Sequence, residues 1–306
     1  MGEIPDYAPL CAAPDRQPRV PRHSLPRGAC DTHAHIFGPA AQFPYATERI
    51  YTPPDSTFAD YRHLLTTLGI DRAVLVQPSV YGTDNAAMLA ALAAGGPGLR
   101  AVAVVDPEVP AQQLDDLHAA GVRGLRFNLV DRRDARNVVH AVALQAVARR
   151  IARLGWHIEL LVNLDEASDF GAALADLPVP LVFGHLGYPR GGVRTWPQHA
   201  GFGELLRLLE TGRAFVKLTG PYRISGAELP YDEVDDAARR LIAAAPERML
   251  WGTDWPHVMI KTRMPNDADL TDLLERWAPD ARVRARILVD NPAALYGFAE
   301  GERIAR

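Results

Sequence analysis

Eight short apolar runs, each followed by a stretch with helical spacing, constrain this chain more than any other feature of its sequence. The runs cover 29–37, 73–77, 99–105, 124–128, 157–162, 181–185, 215–218 and 249–254. Helix-like segments lie between them at 58–68, 85–94, 111–120, 137–154, 166–177, 203–209 and 231–244, and two more, 270–278 and 283–296, follow the last run. Strands separated by a helix are joined by crossovers and run parallel. Eight such units predict an α/β chain folded as a single (β/α)₈ barrel of the TIM type. An open doubly wound sheet would carry a Gly-rich phosphate turn after its first strand. Here that strand ends in His33-Ala34-His35.

The barrel is expected to occupy 29–306, preceded by an irregular arm at 1–28 whose six prolines rule out a helix or a central strand. The net charge of −4 gives no reason to expect nucleic acid. No apolar stretch is long enough to span a membrane, and no apolar leader opens the chain. Cys11 and Cys30 form neither a disulfide framework nor a CxxC metal motif. A cytoplasmic location and a small-molecule partner are therefore expected, with the oligomeric state left open. Lys217 and Lys261 are the only lysines, so any anion site must be built from arginine.

Polar residues gather at the strand ends. Alternation along a strand puts Asp31, His33 and His35 on one face, with Cys30, Thr32, Ala34 and Ile36 turned toward helices. His185 ends the sixth run, sharing a face with Phe183, and Asp254 ends the eighth above Leu250 and Gly252. Barrel strands converge at their C-terminal rim, so residues far apart in sequence fall into one pocket. Ionisable groups so placed are costly to bury unless they serve a site. Arg126 and Asn128 share a face in the fourth run, while Arg132 and Arg223 follow the fourth and seventh. Three guanidinium groups near one rim suggest a small substrate with more than one carboxylate. Tyr51 and Ser79 are further hydrogen-bonding candidates. Lys217 suits a salt bridge low in the barrel, and His257 a loop-structuring bond.

Four segments, 31–39, 183–187, 216–220 and 251–257, resemble the amidohydrolase-2 family of the amidohydrolase superfamily, nearest its 2-pyrone-4,6-dicarboxylate lactonase branch. The resemblance implies hydrolysis of a carboxylated lactone. Asp254 would take a proton from water, and His33, His35 and His185 would polarise the scissile carbonyl. Tyr51, Ser79, Arg126, Arg132 and Arg223 would hold the carboxylates. Many superfamily members use a carbamylated strand-four lysine in a two-metal centre. That position here offers Arg126, and the strand-five histidine, His157, stands at the wrong end. The expectation is an enzyme without a cofactor. One zinc or manganese ion on His33, His35, His185 and Asp254 is the alternative. Rival functions are a metal-dependent decarboxylase, a sugar-lactone hydrolase or isomerase, and, with least support, a non-enzymatic binding barrel.

Overall fold

The computed structural model describes residues 8–131, 139–167 and 170–305. Its eight strands are β1 (Cys30–Ala34), β2 (Arg72–Val76), β3 (Leu99–Ala103), β4 (Val122–Asn128), β5 (His157–Leu161), β6 (Leu181–Phe183), β7 (Ala214–Leu218) and β8 (Met249–Trp251). All neighbours pair in parallel, in sequence order. The ring closes where His35 N–H donates to Trp255 O and Asp254 N–H to His33 O, each at 2.8 Å. This is the (β/α)₈ barrel the alternation predicts.

Helices fill the outer layer. They include α1 (Phe58–Leu68), α2 (Ala86–Gly95), α3 (Ala111–Ala119), α4 (Ala141–Ile151), α5 (Phe170–Leu174), α6 (Ala200–Glu210), α7 (Pro221–Ile224), α8 (Asp235–Ala244) and α9 (Asp267–Trp277). The final segment, expected as one helix, divides into Ala281–Ala285, a π-helical Arg286–Asp290 and Asn291–Tyr296. The start of α1 follows from sequence, since Thr57 and Asp60 cap each other reciprocally and Gly69 ends the helix in the left-handed region. Residues 8–28 lie over α9 and α1, with Arg16 paired to Asp60 and Arg19 to Asp269.

Inside the ring, Cys30, Val74, Val76, Val102, Val182, Phe215 and Leu250 form an apolar lower layer with Tyr296 and Phe298. This corrects the expected faces of β1. Cys30 points into the barrel, and Asp31 points away from it. The pairing of Asp31 with Ala73 and of Ala34 with Leu75 sets three steps of β1 against two of β2. That bulge resets the alternation, so His33 returns to the interior. Phe183 likewise packs outward in the helix-facing core, against Phe170. It does not share a face with His185.

Six strands end earlier than the apolar runs suggest, β1, β6 and β8 among them. His35, His185 and Asp254 lie one, two and three residues beyond the ends of β1, β6 and β8. His185 and Asp254 have φ of 48° and 63°, a region that few non-glycine residues occupy. Each is turned out of the sheet toward the barrel axis. Two glycines make room for them. A Cβ at Gly252 would lie 2.7 Å from His33 N, and one at Gly220 would lie 2.9 Å from His185 Nδ1.

Asp31 braces this end of the barrel. Its carboxylate accepts from the backbone N–H groups of His33 and Thr253, from Thr253 Oγ1 at 2.6 Å and from Tyr61 of α1 at 2.8 Å. Asp31→Ala would leave four buried donors without an acceptor. We expect it to lower stability by about 3 kcal/mol or more, read from the urea midpoint. Asp31→Asn keeps one acceptor and lets both hydroxyls turn to accept, so it should cost clearly less. An Asp31→Ala variant as stable as the parent would show that this brace contributes nothing.

Candidate active site

The site rises from the apolar layer through a buried ion pair. Lys217 of β7 donates to Glu159 Oε2 of β5 at 2.6 Å and to Thr32 O at 2.7 Å, and its ammonium lies 3.1 Å from His33 Nδ1. Both charged residues are essentially inaccessible to solvent. The salt bridge expected for Lys217 is present, and it stands directly beneath the histidines. Glu159 was not foreseen. It lies two residues after His157 on the inward face, so alternation marks it once the face is known. His157 sits lower, its ring against Tyr296.

Above this pair the rings of His33 and His35 meet edge-on at 5.0 Å, and His185 approaches His33 at 5.3 Å. His35 Nδ1 lies 2.7 Å from Val76 O. A carbonyl oxygen can only accept, so this nitrogen carries the proton and His35 Nε2 presents a lone pair. His185 Nδ1 is 2.8 Å from Thr219 Oγ1. Burial pushes His35 down to about 3 and His185 down to about 4, so both imidazoles are neutral near pH 7.

Asp254 is completely buried. Its Oδ2 accepts from Tyr222 at 2.5 Å and from Arg223 Nε. Burial pushes its pKa up, but Arg223 and the three imidazoles more than offset that and hold the carboxyl well below 3.8. Oδ1 has no hydrogen-bond donor and lies 3.6 Å from His33 Nε2 and 3.8 Å from His35 Nε2. Tyr222, another residue missed in sequence, links Asp254 to His257 at 3.0 Å, and His257 Nε2 lies 3.1 Å from Asp267 Oδ1. His257 thus has the loop-structuring bonds expected of it.

The cavity over these groups is lined by His35, Tyr51, Ser79, Arg126, His185 and Arg223, together with Asn128, Asp131, Val258 and Met259. Every described residue proposed for the site therefore lines this cavity or, as with His33 and Asp254, lies at its base. Arg132 falls outside the described residues. Arg126 donates to Gln77 O at 2.8 Å, and its buried Nε has no partner. Asp131 adds an unforeseen carboxylate. Burial pushes its pKa up, while Arg223 and Arg126 draw it down. A larger adjoining cavity of about 720 Å³ shares Ser79, Arg126, Asn128 and Asp131 with the first and extends past Ile50, Val104 and Leu129.

The spacing of the groups, taken alone, is that of a metal site. One ligand atom each from His33, His35 and Asp254 lies within 4.8 Å of the others, and two of the groups carry buried, unpartnered atoms. His185 is not part of this set. No described helix is long and apolar enough to cross a membrane.

The chain is similar to known proteins along most of its length. The amidohydrolase family profile matches residues 30–298. A 2-pyrone-4,6-dicarboxylate hydrolase of Comamonas testosteroni is 38% identical, with 91% of this chain and 93% of that protein aligned. A 4-sulfomuconolactone hydrolase of Rhizobium radiobacter is 39% identical, with 94% and 96% aligned. The crystal structure of a 2-pyrone-4,6-dicarboxylic acid hydrolase from Pseudomonas putida, itself described as putative, superposes with a TM-score of 0.76 at 31% identity, covering 90% of this chain and 99% of that one. Matched nearly end to end by the family and by these relatives, this chain belongs to the amidohydrolase family.

Proposed function

We propose that this enzyme hydrolyses a carboxylated lactone resembling 2-pyrone-4,6-dicarboxylate, with Asp254 activating the attacking water. One observation carries the reading. Asp254 Oδ1 and His35 Nε2 are two acceptors 3.8 Å apart at the foot of an arginine-lined cavity, suited to receive the two protons of one water. The hydrolase relatives act on lactones whose names specify carboxylate or sulfonate groups. The cavity answers that chemistry with Arg126 and Arg223, and guanidinium groups bind such anions bidentately. Arg132 is proposed as a third contact.

In the proposed sequence the water oxygen bonds to the lactone carbonyl carbon as Asp254 takes a water proton. Imidazole N–H donors stabilise the developing oxyanion. The ring C–O bond then breaks and Asp254 returns the proton to the departing oxygen, leaving a carboxyl group and an enol or hydroxyl. Arg126, Tyr51 and Ser79 orient the ring through its remote substituents. A divalent ion bound by His33, His35 and Asp254 would add Lewis acidity toward the carbonyl. The proposal assigns the reaction to the side chains and requires no resident metal.

The direct test follows loss of the ultraviolet absorbance of 2-pyrone-4,6-dicarboxylate with chelator-treated protein. Rapid loss is expected, and turnover only after adding zinc or manganese would move the mechanism to a metal. Asp254→Asn should lower kcat by about 10² to 10⁴-fold with little change in substrate affinity. Near-normal turnover would remove Asp254 from the chemistry.

Arg126→Met should raise KM about tenfold or more, because a charge-assisted contact is lost, with a smaller effect on kcat. An unchanged KM would take Arg126 out of substrate binding.

The active forms are ionised Asp254 and neutral imidazoles, and all of these pKa values are lowered. Activity is therefore full at neutral pH and is lost as pH falls through the lowered values. The kcat/KM profile should stay flat down to about pH 5, with an acid limb near 4 where His185 gains a proton. A limb near 6.5, the ordinary histidine value, would show that these imidazoles are not held neutral.

A further inference from the structure

The two histidines of the His-x-His strand face opposite kinds of partner. His35 Nδ1 gives its proton to Val76 O, leaving Nε2 as an acceptor. His33 Nδ1 instead faces the Lys217 ammonium at 3.1 Å. An ammonium has three donors and no acceptor, and here its three acceptors are Thr32 O, Glu159 Oε2 and His33 Nδ1. That bond requires a lone pair on Nδ1 and puts the imidazole proton on Nε2. The far end of the ring favours the same tautomer. Nε2 faces the anionic Asp254 Oδ1 at 3.6 Å, an attraction for an N–H and a repulsion for a lone pair. Glu159 Oε1, 3.2 Å from Nδ1, would favour the reverse, but only by pressing a lysine proton against an N–H.

We propose that Lys217, fixed by Glu159, is a positioning residue that locks His33 as a hydrogen-bond donor while His35 remains an acceptor. The proposal deepens the lactone-hydrolase reading and rests on it for its purpose. His35 Nε2 and Asp254 Oδ1 accept the two protons of the attacking water. His33 Nε2–H donates to the carbonyl oxygen as negative charge grows there. A divalent ion would need a lone pair at His33 Nε2, and the lock takes that lone pair away. The same pair thus supplies an oxyanion donor and disfavours metal.

The test reads the tautomers directly. Imidazole ¹⁵N–¹H correlation spectra of the labelled, metal-free, full-length protein are recorded at neutral pH, with the His33 and His35 signals assigned from His33→Gln and His35→Gln variants. The expected result is a proton on Nε2 of His33 and on Nδ1 of His35. A proton on Nδ1 of His33 overturns the proposal. In a second arm, the double variant Lys217→Met with Glu159→Met removes the lock without leaving a buried charge unpaired or a new donor beside His33 Nδ1. Its zinc affinity, measured against a competing chelating dye, should rise about tenfold or more over the parent. A folded double variant with unchanged zinc affinity also overturns the proposal. The spectra need no substrate, so the two readings fail separately. Split tautomers without lactone turnover refute the lactone reading and leave the lock standing. Lactone turnover with His33 protonated on Nδ1 refutes the lock alone.

Discussion

The seam between β1 and β8 is the contact on which both the fold and the site depend. An eight-stranded parallel sheet becomes a barrel only when its first and last strands meet. Here they meet through backbone bonds from His35 and Asp254 to Trp255 and His33. These residues also form the centre of the proposed site, so closing the ring brings His33, His35 and Asp254 together. Asp31 reinforces the seam from outside by taking both the N–H and the hydroxyl of Thr253. Fold and site cannot be separated at this point.

A second constraint is the cost of burying charge. Lys217, Glu159 and Asp254 are all buried, where an unpaired charge would be very unfavourable. Each is compensated by a neighbour on another strand or in a strand-end loop. Glu159 compensates Lys217, and Arg223 with Tyr222 compensates Asp254. Breaking one member leaves its partner uncompensated, so these residues act as a set. The apolar layer below keeps water away from the pairs, which strengthens them further.

Much of this was legible in the sequence. The eight alternating units predict the barrel. His33, His35, His185, Asp254 and Arg126 stand out because an ionisable group at the end of an apolar run is costly to bury unless a site needs it. The errors were local and had physical causes. A β-bulge between Asp31 and Ala34 shifts the strand's parity, and simple alternation cannot register it. The left-handed backbone at His185 and Asp254 depends on the space left by neighbouring strands. Glu159 and Tyr222 were missed because their roles come from partners 58 and 32 residues away in sequence. Distance of that kind is set by topology.

The His-x-His strand is a poor guide to chemistry taken alone. An imidazole offers one donor and one acceptor, and which end carries the proton is fixed by what the other end meets. A carbonyl behind His35 and an ammonium behind His33 give two chemically different rings from the same residue type. A fold that holds these histidines in one place can therefore support different reactions when the groups behind them change. Lys217 and Glu159 occupy that rear position here, and Arg126 and Arg223 are the groups proposed to select what reaches the front. On the proposed reading, the identity of the reaction is distributed between a layer below the histidines and a layer above them. Neither layer can be read from the histidines themselves.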